Sequence, residues 1–161
     1  MTDLQAPEWI KQLKVEQDQE RKTTERVAER ALLREKAIVS DGPAFWKRLL
    51  KELQRTIDGL PPIGITGTLT PINVSTEEAY EVGLTRVAET PTQVQTKVFY
   101  KAGNRMIRSH SSDRSYSELA FTLGENNELM VVGVDGAMPA EQVAQQIIEP
   151  MVRRLLKNGK R

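Results

Sequence analysis

The chain has 161 residues with 23 basic and 22 acidic side chains, a formal net charge of +1 that gives no overall attraction to nucleic acid or anionic lipid. It contains no cysteine, so disulfides, thiolate metal sites and cysteine nucleophiles are excluded. No apolar run approaches the roughly 20 residues of a membrane span and the N-terminal residues lack the apolar segment of a signal peptide, so we expect a cytoplasmic protein outside the membrane.

Residues 1–40 are predicted to form a helical arm. Two apolar groups mark its ends: Trp9, Ile10 and Leu13, and then Val27, Ala31 and Leu32. Residues 16–26 between them contain no apolar side chain, so this segment has no core of its own, and helices without packing are marginal in water. We therefore expect both apolar groups to be covered by the sheet of the same chain, by a second copy, or by another protein.

Residues 41–161 are predicted to form an α+β domain that begins with a helix over residues 41–60. Asp41 is suited to cap this helix and Pro43 to its first turn, so the pattern predicts a break in the helix at residues 40–43. Gly59 and the following Pro61 then end it. Four apolar side chains recur every fourth residue along it: Phe45, Leu49, Leu53 and Ile57. This apolar stripe needs a partner surface, for which we expect the sheet that follows.

After Pro62 the pattern changes to strands. β-Branched residues and short turns predict an antiparallel meander of about five strands, drawn from residues 63–74, 78–90, 94–101, 105–110, 116–123 and 129–135. For residues 78–90 a short helix capped by Ser75 and Glu78 is the alternative. Gly83 favours the strand, because glycine weakens a helix interior.

A C-terminal helix is predicted to pack across this sheet. Val143, Ile147, Met151 and Leu155 are spaced by four residues, as on the buried side of an amphipathic helix. Pro150 lies inside this pattern and predicts a kink or a restart of the helix. The fold class is therefore α+β, with an N-terminal helical arm and helix, an antiparallel sheet, and a C-terminal helix across it.

One stretch carries candidate chemistry: Arg105, Arg108, His110 and Arg114. Guanidinium groups and a histidine are suited to an anion-binding site, but a polar hairpin tip is the interpretation we favour, with His110 exposed. A single histidine without cysteine, and the absence of a calcium-loop or phosphate-loop spacing, predict no metal site and no cofactor. The same hairpin carries Lys97, Lys101, Phe99 and Tyr100, but the low net charge argues against nucleic-acid binding.

These patterns favour a non-enzymatic module for protein–protein interaction or self-association, with the helical arm as the docking element and a homodimer as one form. The alternative is a small-ligand carrier with a cavity between the sheet and the C-terminal helix. A weaker alternative is an enzyme or anion-binding site at the loop from Arg105 to Arg114. Trp9 and Trp46 are predicted to anchor packing, since large aromatic side chains are usually buried.

Overall fold

The computed structural model describes residues 6–158. Its elements are helix α1 (Glu8–Asp58), a 3₁₀ turn (Pro61–Ile63), and then strands β1 (Ile65–Ile72), β2 (Glu78–Arg86), β3 (Thr92–Tyr100), β4 (Met106–Ser111), β5 (Tyr116–Leu123), β6 (Leu129–Gly133) and β7 (Gly136–Met138), followed by helix α2 (Ala140–Asn158). The sequence also predicts a loose lead-in at residues 1–6 and a frayed tail at residues 157–161. Residues 1–5 and 159–161 lie outside the described residues, whereas Lys157 and Asn158 belong to α2.

The seven strands form one antiparallel sheet in which each strand pairs with its neighbours in sequence. The predicted α+β class, with an N-terminal helix, an antiparallel sheet and a C-terminal helix, is confirmed. The predicted count of about five strands was low, in part because β7 has only three residues, too few to show an alternating pattern. Residues 78–86 form a strand, as Gly83 indicated.

Both helices cover the same face of the sheet. Alternate residues of β3 point toward them, and Val94, Val98 and Tyr100 are all buried there. α1 crosses from β1 to β5: Ile57 lies against β1 at Gly67, and the ring of Phe45 meets that of Phe121 edge-on at 5.5 Å. The opposite face of the sheet is not covered by any described element, and most of its residues are polar.

α2 lies beside α1 on this face. Its predicted apolar stripe is buried, with Val143, Ile147, Met151 and Leu155 all in the core. Arg48 of α1 pairs with Glu141 near the start of α2. At the other end, the guanidinium of Arg86 donates to the carbonyl oxygens of Leu155 and Leu156 at 3.2 and 3.3 Å, which satisfies acceptors that a helix C-terminus leaves free.

The predicted helix break at residues 40–43 is wrong, because α1 is a single helix of 51 residues. Pro43 cannot donate to the carbonyl of Val39, a loss that usually costs about 3 kcal/mol. Val39 and Pro43 both face solvent, where water can satisfy that carbonyl. The side chains of Ile38 and Trp46, on either side of this position, are buried in the core and keep the helix continuous.

Gly42 has a packing role rather than a helix-breaking one. It is buried, and a Cβ atom built on it would lie 2.7 Å from the hydroxyl oxygen of Tyr100. The absence of a side chain therefore lets α1 approach β3 closely. Pro150 likewise lies inside an uninterrupted α2 and faces solvent, so the predicted restart of that helix is also not observed.

The core reaches further toward the N-terminus than the predicted domain boundary. Ala37 and Ile38, which the sequence analysis placed in the arm, are buried in the main core. Asp41 lies in the middle of α1 and does not cap a helix. Whether residues 41–161 fold without the residues before them stays a prediction.

Candidate functional site

The N-terminal half of α1 exposes its apolar side chains. Trp9 is 63% exposed, Leu13 is 48% exposed and Val27 is 64% exposed. Ile10 and Leu32 are also exposed, whereas Ala31 is half-buried. Of the two tryptophans predicted to anchor packing, Trp46 is buried at 1% exposure and Trp9 is not buried within this chain.

The root of the arm rests on the turn between β5 and β6. A guanidinium nitrogen of Arg30 donates to the carbonyl oxygen of Leu123 at 3.1 Å. Beside this contact lies a groove of about 200 Å³, lined by Val27, Arg30, Ala31, Arg34, Thr122 and Leu123. The groove places one of the two apolar groups of the arm next to an unfilled surface.

Residues 8–26 extend beyond this contact. The side-chain hydrogen bonds and ion pairs of these residues join partners within the same helix, including Arg21 with Asp18 at 3.7 Å and with Glu25 at 3.9 Å. Such exposed pairs contribute only about 0.2–0.5 kcal/mol each. At a rise of about 1.5 Å per residue the segment spans about 28 Å. We call residues 8–36 the projecting arm.

The four residues of the candidate anion site do not all meet. Arg108 and His110 alternate on β4 and therefore share the uncovered face of the sheet. Arg105 precedes β4 and pairs with Glu35 of α1 at 2.9 Å. Arg114 lies in the turn at the other end of the strand, in the left-handed region with φ of 70°. An anion-binding role stays a prediction, with only Arg108 and His110 as neighbours.

Arg108 already has an anionic partner. Its guanidinium donates to the Glu77 carboxylate at 2.5 Å and lies 5.4 Å from the ring centroid of Phe99. The hydrogen bond to Glu77 raises the pKa of Arg108 above its ordinary value. A second anion would therefore compete with Glu77 for this guanidinium.

His110 is exposed, as predicted, between two aromatic rings. The ring centroid of Phe99 lies 5.6 Å from that of His110, and the centroid of Tyr116 lies 4.6 Å away. The Tyr116 hydroxyl donates to the Glu118 carboxylate, and this hydrogen bond raises the pKa of Tyr116. The arrangement pairs its charged groups internally and contains no nucleophile held by a general base, so it lacks the geometry of an acyl-transfer site.

A cleft of about 240 Å³ lies between β3–β5 and α2. Hydroxyl groups dominate its sheet side: Thr96, Ser109, Ser111, Ser112, Ser115 and Ser117. The hydroxyls of Thr96 and Ser111 hydrogen-bond at 2.8 Å. The side chains of Ile147 and Met151 form the helix side. This cleft was not predicted from the sequence, although serine at inward-facing positions of two adjacent strands was the signal that could have revealed it.

The charged border of the cleft is an ion pair between Asp113 and Arg154 at 3.5 Å. Hydrogen bonds from the side chain and the backbone N–H of Ser115 lower the pKa of Asp113. Both charges are thus engaged with neighbours. The groups available to a ligand are therefore the neutral hydroxyls on the sheet side of the cleft and the apolar side chains on its helix side.

A wider, open depression of about 510 Å³ lies between α1 and the ends of β2 and β3. Trp46 and Tyr100 line it, with their rings stacked at a centroid distance of 5.3 Å. Among the described residues, neither the Trp46 Nε1 nor the Tyr100 hydroxyl has a hydrogen-bond partner, and both atoms are buried. Burial, followed by the nearby charge of Glu78, raises the pKa of Tyr100.

The described part of the chain contains neither a cluster of metal ligands nor a membrane-spanning helix. Within residues 6–158, no three side chains able to ligate a metal lie close enough together to hold an ion. Neither of the two helices there is both long enough and apolar enough to cross a membrane.

Comparisons of the chain with models of protein families, with curated protein sequences and with solved structures found no match.

Proposed function

We propose that the protein is a self-associating interaction module in which the projecting arm is the docking element. The observation that carries this proposal is the exposure of two apolar groups on a helix whose other half is anchored in the core. Trp9, Leu13 and Val27 are each about half exposed or more. Full burial of a side chain of this size contributes about 1.5–3 kcal/mol, so covering both groups supplies a substantial driving force.

The continuity of α1 supports a cover supplied by another chain. Trp9 lies five helical turns before Val27, or about 27 Å along the axis. The arm meets the sheet of the same chain at Arg30 and along the groove that begins at Val27. A second copy is the simplest cover, since homodimers are the commonest oligomers. A different partner protein is the alternative, which sedimentation of the full chain distinguishes from a second copy.

The other two functions have weaker support. The cleft between the sheet and α2 measures about 240 Å³, whereas small-molecule sites usually begin at about 300 Å³. Two of the four candidate anion-site residues, Arg105 and Arg114, lie at opposite ends of β4. We therefore rank self-association above ligand carriage and above an enzymatic site.

Sedimentation velocity of the full chain tests the proposal. We expect a dimer at tens of micromolar, on the order of the affinity of ordinary specific complexes. Leu13→Glu should give a monomer, because it places a charge in one apolar group. Gln12→Glu introduces the same charge at the neighbouring exposed position and should leave the dimer intact. Circular dichroism checks that both variants keep their helix content.

A full chain that stays monomeric over this range would refute self-association and leave the arm to a different partner. A Leu13→Glu variant that remains dimeric would place the interface elsewhere on the molecule.

A further inference from the structure

The two apolar groups of the projecting arm repeat one pattern. Val27 and Ala31 of the second group, together with the adjacent Ala28, have the same spacing as Trp9, Leu13 and Ile10 and follow them after five helical turns. Leu32, the third member of that group, lies about 140° from Val27 around the helix, at the border of this side. At about 3.6 residues per turn, five turns return a helix to the same side. The two groups therefore lie on one side of α1, separated by about 27 Å.

That side is the one that packs on the sheet further along the helix. Five more turns lead to Phe45, Trp46 and Leu49, which are buried in the core. The apolar side of the arm thus continues the core-facing side of α1. It is uncovered in this chain because the arm extends past the turn between β5 and β6.

Resting on the proposed self-association, we infer that two copies pair their arms antiparallel, about a two-fold axis near Glu20. Each copy then places its Trp9 group over the Val27 group of the other. Leu13 lies opposite Val27 and Trp9 opposite Ala31 in this arrangement. The partner of the docking surface is therefore the same surface of a second copy, running in the opposite direction.

Steric exclusion favours the antiparallel direction. A parallel partner on this side would run alongside residues 37–57 of the first copy, where the sheet already covers Ile38, Phe45 and Leu49. In the antiparallel pair the second copy's residues 8–32 lie beside residues 8–32 of the first. Its remaining helix and its sheet then lie beyond the free end of the first arm.

Charge favours the antiparallel direction over the parallel one. A parallel pair in register would set each charged side chain of the arm against the same side chain of the second copy. Oppositely directed helix dipoles also attract. The antiparallel register sets Glu20, which lies on the apolar side of the arm, against its symmetry mate, so Glu20→Gln should tighten the dimer, by severalfold in Kd at low salt.

The groove at the root of the arm fits the large side chain that this register brings to it. Ala31 is small and leaves space between the helix and Leu123, within the groove of about 200 Å³. The Trp9 indole of the second copy would enter there. Two guanidinium groups, those of Arg30 and Arg34, line the groove, and guanidinium groups are favourable neighbours of indole faces.

Disulfide cross-linking measures the register directly, because the chain contains no native cysteine. Glu20→Cys should cross-link to itself when the full-length dimer is treated with a mild oxidant. Gln17→Cys and Thr24→Cys should each self-link poorly, since their symmetry mates lie about 9 and 12 Å away along the axis, beyond the Cα separation of about 7 Å that a disulfide allows. An equal mixture of these two variants should give the mixed disulfide, identified by isotope labelling one partner.

Efficient self-linking of Gln17→Cys and Thr24→Cys would show parallel arms and overturn this inference, while leaving self-association in place. A dimer with no cross-link at any of the three positions would overturn it by placing the interface away from the arm. A monomeric wild-type chain in sedimentation would refute the proposed function itself, so the two failures are distinguishable.

Discussion

The contact between Gly42 and Tyr100 allows a quantitative test of the packing between α1 and β3. Replacing a helix-interior glycine by alanine normally stabilises a protein by about 1 kcal/mol. Here the added methyl group would lie 2.7 Å from the Tyr100 hydroxyl oxygen. The tyrosine ring cannot turn away, because it stacks on Trp46 and meets Phe121 edge-on. Overpacking of this kind costs about 1–3 kcal/mol, so Gly42→Ala should be neutral or destabilising by up to about 2 kcal/mol.

Tyr100→Phe removes the atom responsible. It also removes a buried hydroxyl without a hydrogen-bond partner among the described residues, a situation that costs about 1–3 kcal/mol, so this variant alone should be more stable by about 1 kcal/mol. In its background the new methyl group meets only ring carbon, whose nearest atom lies 3.7 Å away. Gly42→Ala should then stabilise by about 1 kcal/mol.

Urea unfolding of the wild type, both single variants and the double variant gives the coupling free energy. We expect about 1–3 kcal/mol between the two sites. All four proteins are compared at one concentration, because self-association makes apparent stability depend on concentration. Coupling below about 0.5 kcal/mol would contradict the proposed close approach of α1 to β3.

Three further substitutions test other parts of the fold. Ile147→Ala should cost about 2–5 kcal/mol in urea melts, because it leaves a cavity under α2, whereas the same change at exposed Val134 should stay within about 0.5 kcal/mol. Gly67→Ala should destabilise by about 1–3 kcal/mol, because its Cβ would lie 2.5 Å from the Leu84 side chain. Asp113 has a lowered pKa in the folded chain, so its stabilising contribution is present above its unfolded value of about 3.9 and is lost as pH falls below it. Asp113→Asn should therefore lose less melting temperature than the wild type between pH 6 and pH 2.5.

The sheet was largely predictable from the sequence because its determinants are local. Short turns separate runs of β-branched residues, and each strand pairs with the next one along the chain. The buried side of α2 was also predictable from the spacing of Ile147 and Met151. β7 was missed because three residues are too few to show an alternating pattern.

The course of α1 was not predictable, because distant residues decide it. Gly42 and Pro43 are helix-breaking residues by local preference. Gly42 is needed because the hydroxyl of Tyr100 on β3 lies against the helix at this residue. The helix stays intact through Pro43 because the neighbouring side chains of Ile38 and Trp46 are buried in the core. The anion-site residues are close in sequence, but Arg105 lies before β4 and Arg114 lies in the turn after it. The length of β4 therefore separates these two side chains. The hydroxyl-lined cleft depends on which face of each strand α2 covers, which the strand pattern alone leaves open.

Within residues 6–158, the sequential order of the sheet leaves β1 and β7 as its two edge strands, each without a strand on its outer side. An uncovered edge presents unpaired backbone N–H and carbonyl groups that can recruit strands from other molecules and seed aggregation. Each edge here is a poor template. β1 contains Pro71, which has no N–H to offer, and β7 has only three residues. The sheet is thereby protected against edge-to-edge growth, so that ordered contacts between molecules are left to surfaces other than the strands.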